Sequence, residues 1–197
     1  MLGFHGIRFS LKHLGIFKAE LQAIKELADK NHKFGIMFPQ LISVEELKQA
    51  KVILKELVDL SPDIIAFSCT TDDYNWIRAV ARLIKVNMSN ILIIVGGVHP
   101  TIYPEMLEEN SSIDIICRGE GEHAILELMN NLRDNKNILN IENLWIKQDG
   151  VIYKNDVRPL ISNLDDLPFY DRDIYYKYNL LRTNPVRFFM ASRGCPF

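Results

Sequence analysis

Three short stretches rich in hydroxyl residues and glycines each follow a run of apolar residues. The stretches are 68–71 (Ser-Cys-Thr-Thr), 96–101 (Gly-Gly-Val-His-Pro-Thr) and 118–122 (Arg-Gly-Glu-Gly-Glu). Glycine has no Cβ, so a ligand can approach the main chain closely at such positions. Hydroxyl groups, and the N–H groups at the start of a helix, can hydrogen-bond a phosphate, a ribose or an amide. If the three stretches lie along one edge of a sheet, they form a groove that suits a long cofactor with a flat tail.

A cysteine near the end of the sequence, Cys195, is a candidate metal ligand. It lies in the segment 192–197, Ser-Arg-Gly-Cys-Pro-Phe. One thiolate does not make a metal site, because an iron–sulfur cluster needs several thiolates close together. The other two cysteines, Cys69 and Cys117, lie beside apolar runs and are predicted to be buried thiols without a chemical role. Three widely spaced cysteines do not favour disulfides and are typical of a reducing cytoplasm.

The composition is that of an ordinary globular protein, with 48% hydrophobic and 24% charged residues. A chain of 197 residues can bury a full core without disulfides or metals. The net charge of −2 comes from interspersed acids and bases, which argues against nucleic acid as a partner. No apolar run approaches the roughly 20 residues of a membrane span, and the first residues lack the layout of a signal peptide. We therefore expect a cytoplasmic location, with neither nucleic acid nor a membrane as a partner.

Helical and strand-like spacing of apolar residues alternate from about residue 14 to residue 133. Buried strands are predicted at four short, fully apolar runs: 34–38, 64–67, 91–95 and 113–117. Amphipathic helices are predicted at 14–28, 43–57, 76–84 and 124–132. Strands of this kind alternating with such helices indicate βαβ units and a sheet covered on both faces. The predicted fold is α/β, with a doubly wound, mostly parallel sheet of the flavodoxin or Rossmann kind, whose functional loops follow the strands.

The pattern changes at both ends of this region. Residues 1–13 show no apolar strand, so either a first strand is disguised there or the opening strand is absent from this sequence. Residues 144–153 predict a hairpin with an Asp-Gly turn, and a linker and a last strand at 186–191 are predicted to follow it. The predicted domains are residues 1–137 for the α/β domain, 138–184 for the hairpin and linker, and 185–197 for the incomplete start of a further domain.

Several motifs, taken in order, resemble those of cobalamin-dependent radical SAM proteins. Ser68-x-Thr70, followed by Gly96-Gly97, is similar to the Ser-x-Leu…Gly-Gly signature of cobalamin-binding domains. The segments 96–101, 119–122 and 164–169 continue the pattern of this family in the same order. Residues 192–196 look like the opening of the iron–sulfur loop, Cys-x-x-x-Cys-x-x-Cys, of which Cys195 would be the first cysteine. The resemblance covers about residues 60 to 197. It implies a cobalamin-binding domain, a linker and the first strand of a radical SAM barrel, truncated after Cys195.

The resemblance also implies roles for individual residues. Hydroxyl groups would hydrogen-bond the nucleotide tail of cobalamin, glycines would let its benzimidazole lie against the backbone, and the 120–122 segment would contact the tail or the corrin amides. The implied cofactor-binding residues are Ser68, Thr70, Thr71, Gly96, Gly97, His99, Glu120, Gly121 and Glu122. In the parent enzyme Cys195 would bind the iron–sulfur cluster, and SAM would complete the remaining iron. That parent would cleave SAM reductively and use cobalamin in methyl transfer or a related radical step, whereas this chain alone would bind cobalamin at most.

One part of the fuller cobalamin signature is absent. There is no Asp-x-His-x-x-Gly segment, whose histidine is the lower axial ligand of cobalt, and His5 lacks an aspartate that would orient it. The resemblance therefore implies base-off cobalamin without a histidine ligand. The same absence leaves open a domain that kept the fold, lost the cofactor and serves as a packing or interaction module. A flavodoxin-like module that binds FMN is a third hypothesis.

Ordinary structural roles are also open for several of these residues. The glycine pair 96–97 could be nothing more than a tight turn that ends a buried strand. His99 precedes a proline, which favours an extended backbone, and could be a simple turn residue. The acidic residues of 120–122 could favour the positive end of the following helix, and the aspartates of 72–73 are predicted to cap a helix.

Overall fold

The computed structural model describes residues 62–168 and 182–183, together with the main chain of residues 35–39. In chain order its elements are β1 (Gly35–Pro39), β2 (Ile64–Ser68), α1 (Tyr74–Asn87), β3 (Leu92–Gly96), α2 (Val98–Ile102), α3 (Met106–Glu109), β4 (Ile115–Cys117), α4 (Glu122–Arg133), β5 (Leu144–Gln148) and β6 (Val151–Lys154). A 3₁₀ turn follows at Leu164–Asp166. The helices predicted at 14–28 and 43–57 and the strand predicted at 186–191 lie outside the described residues.

The strands form one mostly parallel sheet in the order β1-β2-β3-β4-β5-β6. β1 to β4 pair in parallel, and β5 and β6 are antiparallel. The register places Pro39 opposite Ser68, and Ser68 opposite Gly96, so that these strands end together. The carboxyl ends of the strands therefore share one edge of the sheet, from which the loops that the sequence singled out emerge.

Both faces of the central strands are buried, which explains why these strands are apolar throughout. On one face, side chains such as Ile65 and Ile93 pack with the buried stripe of α1. On the other face, Ile94 and Ile115 pack with Leu128 of α4 and its neighbours. A parallel sheet with a helix on each face has no solvent-facing side that would require polar residues. The α/β fold with a mostly parallel sheet, predicted from this pattern, is confirmed.

The predicted hairpin is confirmed, and it extends the sheet. Asp149 and Gly150 both have positive φ, at 52° and 79°, as a two-residue type I′ turn requires. β5 pairs with β4, with Trp145 opposite Ile116, so the hairpin belongs to the same sheet as the parallel strands. The chain divides into two compact units at residues 161 and 162, Met1–Ile161 and Ser162–Phe197, and the hairpin lies in the first.

Within the part of the chain that the structure describes, no helix is long and apolar enough to cross a bilayer.

Candidate cofactor site

The turns after β2 and β3 are joined by their main chains. The amide of Cys69 donates to the carbonyl of Gly96 at 2.8 Å, and the amide of His99 donates to the carbonyl of Cys69 at 3.0 Å. These bonds continue the parallel pairing of β2 with β3 beyond the ends of the strands. The two stretches that the sequence predicted to meet, 68–71 and 96–101, therefore form one continuous surface at the carboxyl edge.

Gly97 lies against the main chain of the neighbouring turn. Its φ is +101°, and a Cβ at this position would lie 2.8 Å from the oxygen and 2.9 Å from the nitrogen of Cys69. The Ser68 hydroxyl would be 3.3 Å away. The lack of a side chain at Gly97 is thus required by the chain's own packing, and the part of Gly97 open to a ligand is its exposed backbone. Gly96 differs, because a Cβ there would make only ordinary contact with Cys117, at 3.7 Å.

The Thr70 hydroxyl is used within the chain. It donates to a carboxylate oxygen of Asp73 at 2.5 Å, and the Thr70 amide lies 3.4 Å from the same oxygen. Asp73 is 2% exposed and precedes α1, but its carboxylate makes no hydrogen bond to the helix amides. Asp73 therefore occupies the N-cap position of α1, as predicted, but its carboxylate closes the 70–73 turn instead of bonding the helix amides. Direct contact between Thr70 and a cofactor stays a prediction.

The imidazole of His99 is buried between two tyrosine rings. Its ring centroid lies 4.5 Å from that of Tyr74 and 5.8 Å from that of Tyr103. Nδ1 lies 3.3 Å from the Thr71 hydroxyl, whereas Nε2 is buried and has no hydrogen-bond partner among the residues that the structure describes. Burial lowers the pKa of His99 below its ordinary value, because the charged imidazolium is poorly solvated there. A neutral His99 thus connects the turn after β2 to α2.

This burial makes stability depend on pH. Since the pKa of His99 is lower in the folded chain than in the unfolded chain, its contribution is fully present above the unfolded value of about 6.5. It is lost as the pH falls below that value toward the folded pKa, because the unfolded chain takes up the proton first. We expect His99→Gln to flatten this part of the pH dependence, and His123→Gln, a change at an exposed position, to leave it unaltered. Urea unfolding between pH 5 and 8 measures the effect, and equal slopes for the wild type and His99→Gln would contradict it.

The turn after β4 is tied to α2 and to the segment that follows β6. The Thr101 hydroxyl donates to the Gly97 carbonyl at 2.8 Å and accepts from the Gly119 amide at 3.0 Å. The Glu120 carboxylate accepts from the amide of Ile161 at 2.6 Å. Thr101 ends the motif at 96–101, but it was not predicted as a site residue. Its short side chain bridges the turns after β3 and β4, which no local pattern reveals.

The last two predicted residues of this turn lie at the start of α4. Gly121 precedes the helix, and a Cβ there would lie 3.4 Å from the Cys117 sulfur. Glu122 is exposed in the first turn, where a carboxylate favours the positive end of the helix. Both residues therefore have local roles that do not require a ligand, and their contact with a cofactor stays a prediction.

Seven of the exposed residues of this edge form a surface that we call the rim. Its members are small or apolar: Ser68, Thr71, Gly97, Val98, Thr101, Ile102 and Gly119. Val98 and Ile102, at the two ends of α2, are 60% and 74% exposed. Sequence reasoning missed them, although their i, i+4 spacing within 98–102 places them on one side of a helix turn. Exposed hydroxyls and backbone beside apolar side chains suit a large, flat, partly apolar molecule with polar substituents.

The candidate metal ligand, Cys195, lies outside the described residues. Within 62–168, no three His, Cys, Asp or Glu side chains are close enough together to hold a metal ion. Cys69 and Cys117 are buried free thiols, as predicted. Burial raises the pKa of Cys69 to about 12 and that of Cys117 to about 11, so neither is a thiolate at neutral pH.

Two family models match the chain. The model of the B12 binding domain matches residues 40–129. The model of the PEP-binding domain of PEP-utilising enzymes matches residues 1–71, so the two ranges overlap at residues 40–71. The second match was not predicted from the sequence, and of the residues it spans, the structure describes only 35–39 and 62–71.

Individual relatives are similar to the same two families. An uncharacterized methyltransferase of Pyrococcus horikoshii is 34% identical over 153 residues, which are 75% of this chain and 32% of that protein. A probable phosphoenolpyruvate synthase of Archaeoglobus fulgidus is 48% identical over 54 residues, which are 27% of this chain and 7% of that protein. The chain spans at most about a third of the length of the curated relatives it matches.

A solved structure with bound cobalamin supports the match to the B12 binding domain. The cobalamin-dependent S-adenosylmethionine radical enzyme OxsB, with aqua-cobalamin and S-adenosylmethionine bound, superimposes with a TM-score of 0.54 and 25% sequence identity. The match covers 67% of this chain and 19% of that chain. The matched residues 40–129 include β2, β3, β4 and the three turns that follow them. This part of the chain is therefore a B12-binding domain of the kind found in cobalamin-dependent radical SAM enzymes.

Proposed function

We propose that this domain holds cobalamin at the rim, in a larger protein that is a radical SAM enzyme. The observation that carries the proposal is the exposure of Val98 and Ile102 beside the open backbone of Gly97. Exposed apolar residues next to polar contact points are typical of a surface that a ligand covers. The residues present fit cobalamin, because hydroxyls can bond its polar groups while the aliphatic side chains contact its macrocycle.

The rim residues would divide this work. The hydroxyls of Ser68 and Thr71 and the backbone of Gly97 would hydrogen-bond polar parts of the cofactor, and Val98 and Ile102 would exclude water from its apolar face. Thr70 and His99 would support the site from within the chain, since the Thr70 hydroxyl bonds Asp73 and the His99 ring is buried beside Thr71. The remaining residues that we propose to contact or support the cofactor are Gly96, Glu120, Gly121 and Glu122.

In the whole protein we propose methyl transfer or a related radical reaction. Cys195 would be one ligand of an iron–sulfur cluster that binds SAM, as the resemblance of residues 192–196 implies. Bound cobalamin supplies cobalt-centred group transfer, which side chains cannot perform. This chain would bind the cofactor, orient it and keep water from its apolar face. The free thiols Cys69 and Cys117 suit the cytoplasmic location that we propose.

Retention of cobalamin tests the proposal directly. The purified chain is mixed with hydroxocobalamin and desalted, and the visible spectrum of the protein fraction is recorded. We expect the protein fraction to absorb as one bound corrin per chain. Dicyanocobinamide, which lacks the nucleotide tail, is the matched control and should be retained less well if the tail is bound.

Three other outcomes would overturn part or all of the proposal. Absence of corrin after desalting would exclude cobalamin binding and favour the packing module. Retention of FMN instead of corrin would favour the flavodoxin-like alternative. Equal retention of hydroxocobalamin and dicyanocobinamide would exclude recognition of the tail.

A further inference from the structure

Asn143 connects the turn after β4 to the segment 155–161, which we call the strap. Asn143 is 2% exposed, has a φ of +72° and directly precedes β5. Its side-chain amide donates to the Glu120 carbonyl at 2.5 Å, and its side-chain oxygen accepts from the Arg158 amide at 2.6 Å. Its own amide donates to the Asp156 carbonyl at 2.7 Å, and its carbonyl accepts from the Arg118 amide at 2.8 Å. One buried residue therefore bonds both the turn and the strap with its main chain and with its side chain.

Further contacts hold the strap against the turn and against neighbouring parts of the chain. The Glu120 carboxylate accepts from the amide of Ile161, the last residue of the first compact unit. A Cβ at Gly119, whose φ is +68°, would lie 3.2 Å from the side chain of Val157. The Arg158 guanidinium forms ion pairs with Glu127 of α4 and with Glu142. The strap thus meets the turn directly at Val157 and Ile161, and Asn143 links it to the turn from Asp156 and Arg158.

These contacts change the role expected for Glu120. Its carboxylate was predicted to contact the cofactor, but the structure pairs it with the strap. A turn held in this way has a defined position when a ligand meets it, because an anchored segment loses less conformational freedom on binding than a loose one. Movement of the turn would also be transmitted to Ile161, since the Glu120 carboxylate bonds its amide.

We infer that Asn143 is a positioning residue for the turn after β4, through which events at the rim are coupled to the strap. The part of this inference that concerns a ligand rests on the proposed function. The coupling of the turn to the strap stands on the ligand-free contacts alone, and the two can be tested separately.

Amide hydrogen exchange, measured by NMR, tests the coupling without a ligand. Asn143→Asp keeps the acceptor for the Arg158 amide but replaces the donor to the Glu120 carbonyl with a negatively charged oxygen. We expect roughly threefold to tenfold faster exchange at the Ile161 amide, which residue 143 does not touch, and little change at the Arg158 amide. Asn143→Gly should speed both, because it removes the side chain while allowing the positive φ. Asn135→Gly, at another position of positive φ (52°) on the exposed surface, is the matched control and should change neither amide.

The ligand arm uses hydroxocobalamin with the same variants. In the wild type we expect slower exchange at Ile161 when cobalamin is bound, and in Asn143→Asp we expect this response to be lost. Unchanged Ile161 exchange in ligand-free Asn143→Asp, with the fold confirmed by circular dichroism, would overturn the inference. Bound cobalamin that leaves Ile161 exchange unaltered in the wild type would overturn its ligand part while the proposed function stands. Absence of bound cobalamin, together with faster Ile161 exchange in Asn143→Asp, would refute the proposed function and support the coupling.

Discussion

Replacement of Gly97 by alanine is expected to lower the free energy of unfolding by about 2–4 kcal/mol and to abolish cobalamin retention. Two effects add. A side chain at φ +101° forces a backbone conformation that residues other than glycine rarely adopt, and the new Cβ would lie 2.8 Å from the Cys69 oxygen. Relief of that overlap must move the turns after β2 and β3 apart, and the hydroxyl groups proposed to bind the cofactor, those of Ser68 and Thr71, lie at the first of these turns. Urea denaturation and the desalting assay measure the two losses.

Two other glycines in the chain are matched controls for this prediction. Gly150 also has a positive φ, of 79°, but a Cβ there would meet no atom within 4 Å, so Gly150→Ala reports backbone strain alone. Gly96 has ordinary backbone angles and room for a methyl group, so Gly96→Ala should be tolerated. If Gly97→Ala proved no more destabilising than Gly150→Ala, close packing against Cys69 would not be the reason for glycine at this position.

Val98→Glu and Ile102→Glu are expected to reduce cobalamin retention at least tenfold, about 1.4 kcal/mol each, without unfolding the domain. Each change places a charge where we propose that apolar surface is covered, and burial of an unpaired carboxylate is unfavourable. Because both side chains are largely exposed in the free chain, stability should stay within about 0.5 kcal/mol of the wild type. Titration of each variant with hydroxocobalamin, followed by absorbance, gives the affinity.

Val86→Glu is the control for these two variants. Val86 is 77% exposed near the end of α1, which runs away from the rim, so the same change of charge there should leave retention intact. If all three variants bound cobalamin as tightly as the wild type, α2 would not contact the cofactor. Equal loss in all three would indicate a general effect of added negative charge instead.

Short-range patterns accounted for much of the fold. The uniformly apolar strands predicted burial on both faces, and Ile94 and Ile65 indeed pack on opposite faces under different helices. The Asp149-Gly150 pair predicted the hairpin turn, because few residues accept positive φ at two successive positions. The structure also confirms that the turns carrying the motifs share one edge of the sheet, since the carboxyl ends of parallel strands lie together. The match of residues 1–71 to a PEP-binding domain was not foreseen from any of these patterns.

The roles of individual side chains depended on the partners that the folded chain places beside them. Thr70 was predicted to bind a cofactor, and its hydroxyl bonds buried Asp73. His99 was predicted at the site, and its ring is enclosed by Tyr74 and Tyr103. Residue type indicates what a side chain can donate or accept, but which partner it finds depends on how separate elements pack. Burial strongly favours such pairing, because most polar groups removed from water are paired within the chain.

By itself, the sequence determined the kind of fold and the edge of the sheet at which the motifs meet, because these follow from periodicity and spacing, and the resemblance of those motifs indicated the family of cofactor. Only the tertiary structure decided that Gly97 is required by the main chain of Cys69, that Val98 and Ile102 are exposed at the rim, and that Asn143 connects the turn after β4 to the strap. The first and the last of these facts depend on the approach of segments that are far apart in the chain, and the exposure of Val98 and Ile102 depends on which residues that packing leaves uncovered. Such contacts exist only after the sheet has brought the turns together.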